Sequence, residues 1–368
     1  MTNTIQYKLP TIGFRRPIFP FTILAALFIA LTPGCSSIAW YAQSVAGQLE
    51  ISGRQQPISE VLQDEGLTPH VRRQLERVRD IRDFAATELG LPDNNSYREY
   101  ADLDRDYVVW NVFAAPKLSL EALEWCYLFV GCLNYRGYFD RNDASQLARE
   151  LQEQGFDVFT GGVAAYSTLG WFDDPVLNTM LRWDEARLAT VIFHELAHQL
   201  LYIRDDTKFN EAFADTVAVT GVRRWLEQHG TPAMRRNHKI MREQEDAFLS
   251  LVFRYRDRLS GIYASSRPDA LKLAEKKRLL AEMTMEYRRM NEGRASGRYD
   301  DWFENVNNAS LLAVITYRDY LPGFRALLAY SDYNLPDFYR LAEELGHCPP
   351  AQRRRILEQQ QTEFECRD

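Results

Sequence analysis

Apolar residues recur at helical spacing near the start of the folded part of the chain. They run from Val71 to Leu89 at intervals of mostly three or four residues, behind Thr68-Pro69 and ahead of Gly90. Proline in the first turn and glycine after the last apolar position are ordinary helix boundaries. The pattern therefore predicts a long amphipathic helix up to Leu89.

The next part of the chain is rich in β-branched and aromatic residues, which predicts strands of one mixed or antiparallel sheet, with a short helix over 144–154. The strand segments are 107–113, 127–130, 135–139 and 156–166. Helical periodicity then returns in two segments and in a charged hairpin that turns at Ser265-Ser266-Arg267-Pro268. Those helical ranges are 184–203, 210–228 and 235–292. A strand-rich block followed by helices predicts an α+β fold.

Composition narrows the class of protein. The 368 residues include 44 Lys+Arg and 51 Asp+Glu, for a formal charge of −7, and 46% are hydrophobic. That apolar content excludes disorder as the main state, and the acidic balance argues against a nucleic-acid partner. A mean hydropathy of −0.38, with a single segment apolar throughout, excludes a polytopic membrane protein.

The first 34 residues have the layout of a secretory signal. Basic residues Lys8, Arg15 and Arg16 precede an apolar run over 17–31, which is too short to span a bilayer. The run leads into Thr32-Pro33-Gly34-Cys35, which resembles the processing site of bacterial lipoproteins, although Thr32 stands where those sites usually carry Leu. We predict a signal peptide over 1–34, and the alternative is an uncleaved anchor.

The resemblance implies that Cys35 becomes the lipid-bearing N-terminus of the mature protein. Ser36 follows it, rather than the Asp that retains lipoproteins at the inner membrane. We therefore expect a protein anchored by lipid in a bacterial membrane, with the outer membrane favoured, that faces the periplasm.

Four cysteines remain after Cys35, and they form two pairs that are local in sequence: Cys126 with Cys132, and Cys348 with Cys366. An even number of cysteines in an oxidising compartment favours disulfides. The alternative, a second metal site, lacks the close spacing and nearby histidine of zinc clusters.

The most informative motif is His194-Glu195-Leu196-Ala197-His198. On a helix, residues four apart lie on the same face, so both imidazoles can bind one Zn²⁺ ion. Glu195 lies one residue to the side, where its carboxylate can reach a water on the metal without binding the ion. A third histidine ligand is not expected, because the next histidine in the chain is His229.

The following segment, Asn210-Glu211-Ala212-Phe213-Ala214-Asp215, resembles the Asn-Glu-x-x-Ala-Asp segment of gluzincin metallopeptidases. The resemblance implies that Glu211 is the third zinc ligand. Asp215, one turn further on, would support a ligand histidine from behind. The alternative is that both acids only stabilise the start of a helix.

Most of the chain also resembles a bacterial family described as putative aminopeptidases. The similarity runs from Gly53-Arg54 through 135–139 and 165–172 to the two metal helices, and on to Tyr317 and 321–324. It implies a zincin-like metallopeptidase in which a mixed sheet precedes the HExxH helix and the C-terminal part is mostly helical. We divide the chain into residues 1–34, a catalytic core over 35–230 and a helical region over 231–368 that completes the cleft.

The expected reaction is hydrolysis of a peptide or protein substrate by a zinc-activated water, with Glu195 as the general base. A second group must stabilise the oxyanion, and gluzincins commonly use Tyr or His for this. We select Tyr317, with His238 and Tyr299 as rivals, while burial of Tyr317 in the core is an equal alternative.

Residues Gly162, Ala164 and Tyr166 are expected to pair with an extended substrate, although an ordinary packing strand explains them equally well. Well-known gluzincin aminopeptidases carry a Gly-x-Met-Glu-Asn glutamate here, and this chain has no acid at that place. The choice between an aminopeptidase and an endopeptidase of periplasmic quality control therefore stays open. A non-catalytic zinc-binding lipoprotein scaffold is the alternative from another class, and the oligomeric state is not predicted.

Overall fold

The computed structural model describes residues 35–127, 131–168, 172–293, 297–315 and 320–366, and the described part is mixed α+β and mostly helical. Its helices are α1 (Cys35–Arg54), α2 (Ile58–Val61), α3 (Pro69–Thr87), α4 (Arg141–Glu153), α5 (Glu185–Leu200), α6 (Thr207–Gln228), α7 (Pro232–Tyr263), α8 (Asp269–Met290), α9 (Asp300–Glu304), α10 (Asn308–Ile315), α11 (Leu321–Tyr330), α12 (Leu335–His347) and α13 (Pro350–Glu358). Its strands are β1 (Gln56–Pro57), β2 (Glu99–Ala101), β3 (Val109–Ala115), β4 (Trp125–Tyr127), β5 (Gly131–Leu133), β6 (Arg136–Tyr138), β7 (Asp157–Val163) and β8 (Val176–Leu177).

The helix boundaries follow from local chemistry. The Thr68 side chain caps α3 by accepting a hydrogen bond from the amide of Val71, and Gly90 takes a positive φ of 66° beyond its end. The predicted charged hairpin is confirmed as α7 and α8. The helix that carries the HExxH motif ends at Leu200, three residues before the predicted end, and α6 begins at Thr207, three residues before the predicted start.

The expectation of one sheet is wrong in the described part of the chain, because the strands fall into three small sheets. Strands β6, β3 and β7 form an antiparallel sheet, with Asn111 opposite both Gly137 and Gly161. A mixed sheet joins β1, β2 and β8, and β4 pairs only with β5. The β4–β5 hairpin closes on itself at the directly paired Cys126 and Cys132, so it does not extend the larger sheet.

The main core surrounds α5 and α6, and its largest fully buried side chains include Phe193, Phe209, Phe213 and Trp225. Helices α11–α13 add Phe324, Phe338, Ile356 and neighbouring side chains to this same core. A second apolar cluster fills the α7–α8 hairpin and receives side chains from α9 and α10. The two helices that carry the motif residues are therefore at the centre of the folded body, where surrounding side chains restrict their movement.

Two disulfides are present, Cys126–Cys132 and Cys348–Cys366. The second joins the end of α12 to the segment that follows α13. Within the described ranges, no helix combines the length and the apolar content needed to cross a bilayer.

Candidate metal centre

Helix α5 presents the HExxH residues from a buried position. Its start is capped by the Asp184 side chain, which accepts from the amide of Arg187 at 2.9 Å. The helix is tied to α6 by a 2.9 Å hydrogen bond from the Trp225 indole to the Glu185 carboxylate. Leu196 and Ala197 face the core, so the polar side chains of His194 and Glu195 turn to the other side of the helix.

The loop between α5 and α6 is held by the asparagine of the Asn-Glu motif. The Asn210 side chain is 1% exposed and bonds both backbone groups of Ile203, accepting from its amide at 2.7 Å and donating to its carbonyl at 2.8 Å. The Asp206 side chain caps α6 and also accepts from Arg353 of α13 at 2.8 Å. These contacts set where α6 begins, and Glu211 therefore turns toward α5.

His194, His198 and Glu211 converge on one point. The two Nε2 atoms are 3.0 Å apart, and the Glu211 carboxylate oxygens lie 3.3 Å from Nε2 of His194 and 3.6 Å from Nε2 of His198. Donor atoms of a tetrahedral zinc site with bonds of about 2.0–2.1 Å lie about 3.3–3.4 Å apart. The donor set and its spacing therefore fit a zinc ion.

Asp215 lies behind the ring of His194, with a carboxylate oxygen 3.2 Å from Nδ1. Burial by itself would lower the pKa of His194, but the contacts with Asp215 and Glu211 outweigh it and raise the pKa well above the usual value. Burial, followed by the charge on His194, lowers the pKa of His198 to about 4. The two acids therefore stabilise positive charge at His194, and they would do the same for a bound cation.

Glu195 lies beside this trio in a separate polar environment. Burial raises its pKa to about 7, Glu211 and Asp174 act in the same direction, and His194 and a hydrogen bond with Ser167 oppose them. The Ser167 hydroxyl oxygen is also 3.0 Å from a carboxylate oxygen of Asp174, so its single proton can be donated to either acid, and Asp174 is 2% exposed. A buried network therefore reaches the Glu195 carboxylate from the loop that follows β7.

Two tyrosines near the trio, Tyr135 and Tyr202, were not expected from the sequence. Tyr135, just before β6, interacts electrostatically with Glu211 and Glu195, and burial is the main reason that its pKa is raised. The ring centroid of Tyr202 lies 6.4 Å from that of His198. The only available signal was that Tyr135 belongs to a segment of the family resemblance, since neither tyrosine lies at a motif offset.

The predicted oxyanion residues have different positions. Tyr317 lies outside the described residues. Tyr299 stacks on Phe248 at 3.8 Å between ring centroids, in the apolar cluster of the α7–α8 hairpin. His238, on α7, interacts with Arg242, Asp184 and Glu245. Tyr299 and His238, the two alternatives to Tyr317, therefore both interact with residues of α7.

The predicted substrate segment begins on an edge strand. Strand β7 has β3 as its one strand neighbour among the described residues. The ring of Tyr107 packs so closely on Gly162 that an added Cβ would lie 2.5 Å from it. The Ala164 carbonyl accepts from Thr179 at 2.5 Å, and Tyr166 packs on Phe139 with ring centroids 5.5 Å apart. All three residues therefore have contacts within the chain, and their pairing with an extended substrate stays a prediction.

A second group of possible donors, Glu124, Cys126 and Cys132, lies on the surface. Both cysteines are consumed by their disulfide, so this group cannot supply thiolate ligands.

Comparison with known proteins identifies a family but no characterised relative. A family model described as "Putative aminopeptidase" matches residues 39–357. No curated protein and no solved structure matches the chain significantly. The matched range includes α5, α6 and all the residues of the candidate metal centre.

Proposed function

The chain belongs to the family of putative aminopeptidases, and we propose that it is a zinc-dependent peptidase with a zincin-like catalytic core. His194, His198 and Glu211 would hold the ion. The proposal is carried by the convergence of these donors at separations that suit tetrahedral zinc. The family name supports the peptidase class, and the donor set supports the metal.

When bound, zinc would polarise a peptide carbonyl and lower the pKa of a coordinated water toward neutrality. The proton transfers then fall to Glu195, which lies next to His194 on α5 but is not part of the donor trio. Its carboxylate would accept a proton from the attacking water and pass it to the leaving amine. Ser167, which forms a hydrogen bond with Glu195, would help to position the Glu195 side chain.

The carbonyl oxygen of the substrate gains negative charge during the attack and needs a hydrogen-bond donor. Tyr317 stays a predicted candidate for this role. Among the described residues, Tyr135 is the better candidate, because it is within electrostatic range of both Glu211 and Glu195. Its raised pKa means that the hydroxyl keeps its proton and can donate.

The substrate would be a peptide or protein segment that lies along β7 at the end of the strand near Gly162 and Tyr166, away from Val158, whose carbonyl accepts from Asn307. The family name favours removal of N-terminal residues, and endopeptidase activity is the alternative. Cleavage of a peptide library with free and with blocked N-termini separates the two. An aminopeptidase cleaves only the free peptides, because it must bind the α-ammonium group, whereas an endopeptidase cleaves both.

Replacement of Glu195 is the sharpest test of the mechanism. We expect Glu195→Gln to lower the rate of peptide hydrolysis by about 10²–10⁴-fold, because the amide cannot accept the proton. Zinc content should stay at one ion per chain by elemental analysis. Glu153→Gln, at an exposed position on α4, is the matched control and should keep full activity. Undiminished hydrolysis by Glu195→Gln would rule out this mechanism. If the wild type binds zinc but hydrolyses no peptide, the non-catalytic zinc-binding scaffold is favoured instead.

We further propose that residues 1–34 are a signal peptide and that Cys35 carries lipid, which anchors the protein on the periplasmic side of a bacterial membrane, with the outer membrane favoured. Residues 35–230 would then hold the metal centre, and residues 231–368 would complete the cleft. The basic, apolar and small residues that precede Cys35 support the anchor. Palmitate labelling of the wild type, but not of Cys35→Ser, is the expected result.

A further inference from the structure

Helix α1 presents an apolar surface to solvent. Ile38, Val45 and Leu49 are 65%, 58% and 66% exposed, and their spacing of seven and four places them on one side of the helix. Ala42 and Ala46 lie on the same side and are exposed too. We call these five residues the apolar face of α1. Every exposed residue from 38 to 53 is uncharged, whereas the outer side of a surface helix is ordinarily polar.

The opposite side of α1 is fixed to the folded body, so the helix cannot rotate to hide its apolar face. The Trp40 indole donates to the Gly137 carbonyl at 2.8 Å, and the Gln43 side chain accepts from the amide of Phe139 at 3.1 Å. The ring of Phe139 packs directly against Gly47. Trp40 also stacks on a tyrosine ring of β4, at 3.9 Å between centroids. These contacts hold the apolar face outward.

We propose that the apolar face of α1 lies in the headgroup region of a lipid bilayer, as an in-plane docking surface beside the N-terminal anchor. Helix α1 begins at Cys35, directly behind the apolar run over 17–31. Whether Cys35 carries lipid or the first 34 residues stay as an anchor, residue 35 lies at the membrane surface. Ile38 is then only about 4.5 Å further along the helix axis. The proposal rests on that anchor and is independent of the peptidase reaction.

The chemistry of the face indicates how it would bind. The face offers large and small apolar side chains and no lysine or arginine, so insertion would depend on buried apolar area rather than on attraction to anionic lipids. Docking should therefore be insensitive to salt and to the charge of the bilayer. Because α1 is bonded to Gly137 in β6, and Tyr135 directly precedes that strand, docking would also set the orientation of the metal centre relative to the membrane.

Depth measurements on the full chain test the proposal. Single cysteines at positions 38, 45 and 49 are labelled with an NBD fluorophore, and each protein is reconstituted in phosphatidylcholine vesicles that contain brominated lipids. We expect strong quenching and a blue shift at all three positions, at both low and high salt. Cysteines in place of Leu271 and Met285, which are exposed on α8, are the controls and should show neither effect. Labelling of the wild type corrects for any unmodified Cys35.

A second set of variants separates docking from anchoring. With the fluorophore at Ala42→Cys, the triple change Ile38→Ser/Val45→Ser/Leu49→Ser should abolish quenching, and Leu271→Ser/Met285→Ser should leave it intact. Palmitate labelling reports the lipid independently. Lipid-labelled protein whose apolar face is quenched no more than the controls overturns the proposal. A blue shift of the fluorophore that depends on protein concentration and occurs without vesicles also overturns the proposal, because a second copy of the chain would then cover the apolar face.

Discussion

At the scale of single residues, the candidate metal centre includes a histidine held between two acids. His194 meets Glu211 through Nε2 and Asp215 through Nδ1, at 3.3 and 3.2 Å. The two acids therefore orient the His194 ring from both sides. Asp215 contacts Nδ1, and Nε2 is left to face His198 and Glu211. Because Glu211 is a proposed ligand and Asp215 only orients His194, the loss of each acid should have a different effect.

We expect Glu211→Gln to abolish hydrolysis, because the proposed zinc site loses one of its three protein ligands. Asp215→Asn should weaken zinc affinity or activity only about 10–100-fold, since it disturbs the orientation of His194 and leaves the donor set intact. Zinc titration in competition with a chromogenic chelator measures both effects. Equal and negligible losses in the two variants would contradict the assignment.

The proposed role of Tyr135 as a donor to the oxyanion can be tested separately. Tyr135→Phe should lower kcat by about 10²–10³-fold and leave zinc content unchanged, because it removes one donor to the oxyanion and no metal ligand. Tyr138→Phe, three residues further along in β6, is the matched control. A kcat within a few-fold of wild type for Tyr135→Phe would leave the role to Tyr317 or another group.

At the scale of elements, the centre depends on how α5 and α6 are joined. The six residues between them must place Glu211 opposite the histidine pair. Asn210 does this by bonding the amide and the carbonyl of Ile203, a contact that satisfies two backbone groups within the loop. Asn210, which precedes the proposed ligand Glu211, thus positions the loop between α5 and α6.

Asn210→Ala should lower the free energy of unfolding by about 1–3 kcal/mol, because the Ile203 amide loses its acceptor, while the Ile203 carbonyl still accepts from the amide of Asp206. It should also weaken zinc binding, since the start of α6 loses its support. Urea denaturation followed by circular dichroism measures the first effect. Asn142→Ala, at an exposed position in the first turn of α4, should change stability by no more than a few tenths of a kcal/mol. A similarly small change in the free energy of unfolding of Asn210→Ala would mean that the hydrogen bonds between Asn210 and Ile203 do not stabilise the loop.

At the scale of the whole molecule, distant parts of the chain converge on the same two helices. Arg353 of α13 bonds the residue that caps α6, and α11–α13 share the core of α3, α5 and α6. An ion pair between Lys276 of α8 and the partly buried Asp157 of β7 links the helical hairpin to the antiparallel sheet, and the backbone amide of Asn308 also donates to Asp157 at 3.0 Å. A ligand that joins α5 to α6 should therefore stabilise the entire fold.

Removal of zinc should lower Tm reversibly. A metal present at about a thousand times its Kd stabilises the native state by about 4 kcal/mol, and a chelator removes that stabilisation. Calorimetry with and without chelator, followed by addition of zinc, measures the shift. Glu195→Gln should respond as the wild type does, because Glu195 is not a ligand, whereas His194→Ala should not respond. A wild-type Tm that is indifferent to both chelator and zinc would contradict a zinc centre that joins the two helices.

Sequence by itself determined the features that depend on near neighbours in the chain. The helix over Pro69–Thr87, the α7–α8 hairpin and the placement of His194 and His198 on one helix all follow from short-range periodicity and capping. The spacing of four residues in HExxH already places the two imidazoles on one face, whatever surrounds the helix. Family resemblance added Glu211, which spacing alone could not identify as a ligand.

Tertiary structure decided what depends on residues that are distant in sequence. It divided the strands among separate sheets, since pairing is chosen by the partners that packing brings together and not by β propensity. It brought Tyr135 and Asp174 toward Glu195, although 60 and 21 positions separate them from it in the chain. It also turned the uncharged side of α1 outward, because the contacts with Gly137 and Phe139 fix which side of a helix faces the body. Periodicity indicates that a helix has two faces, and only the packing partners determine which of them is left exposed.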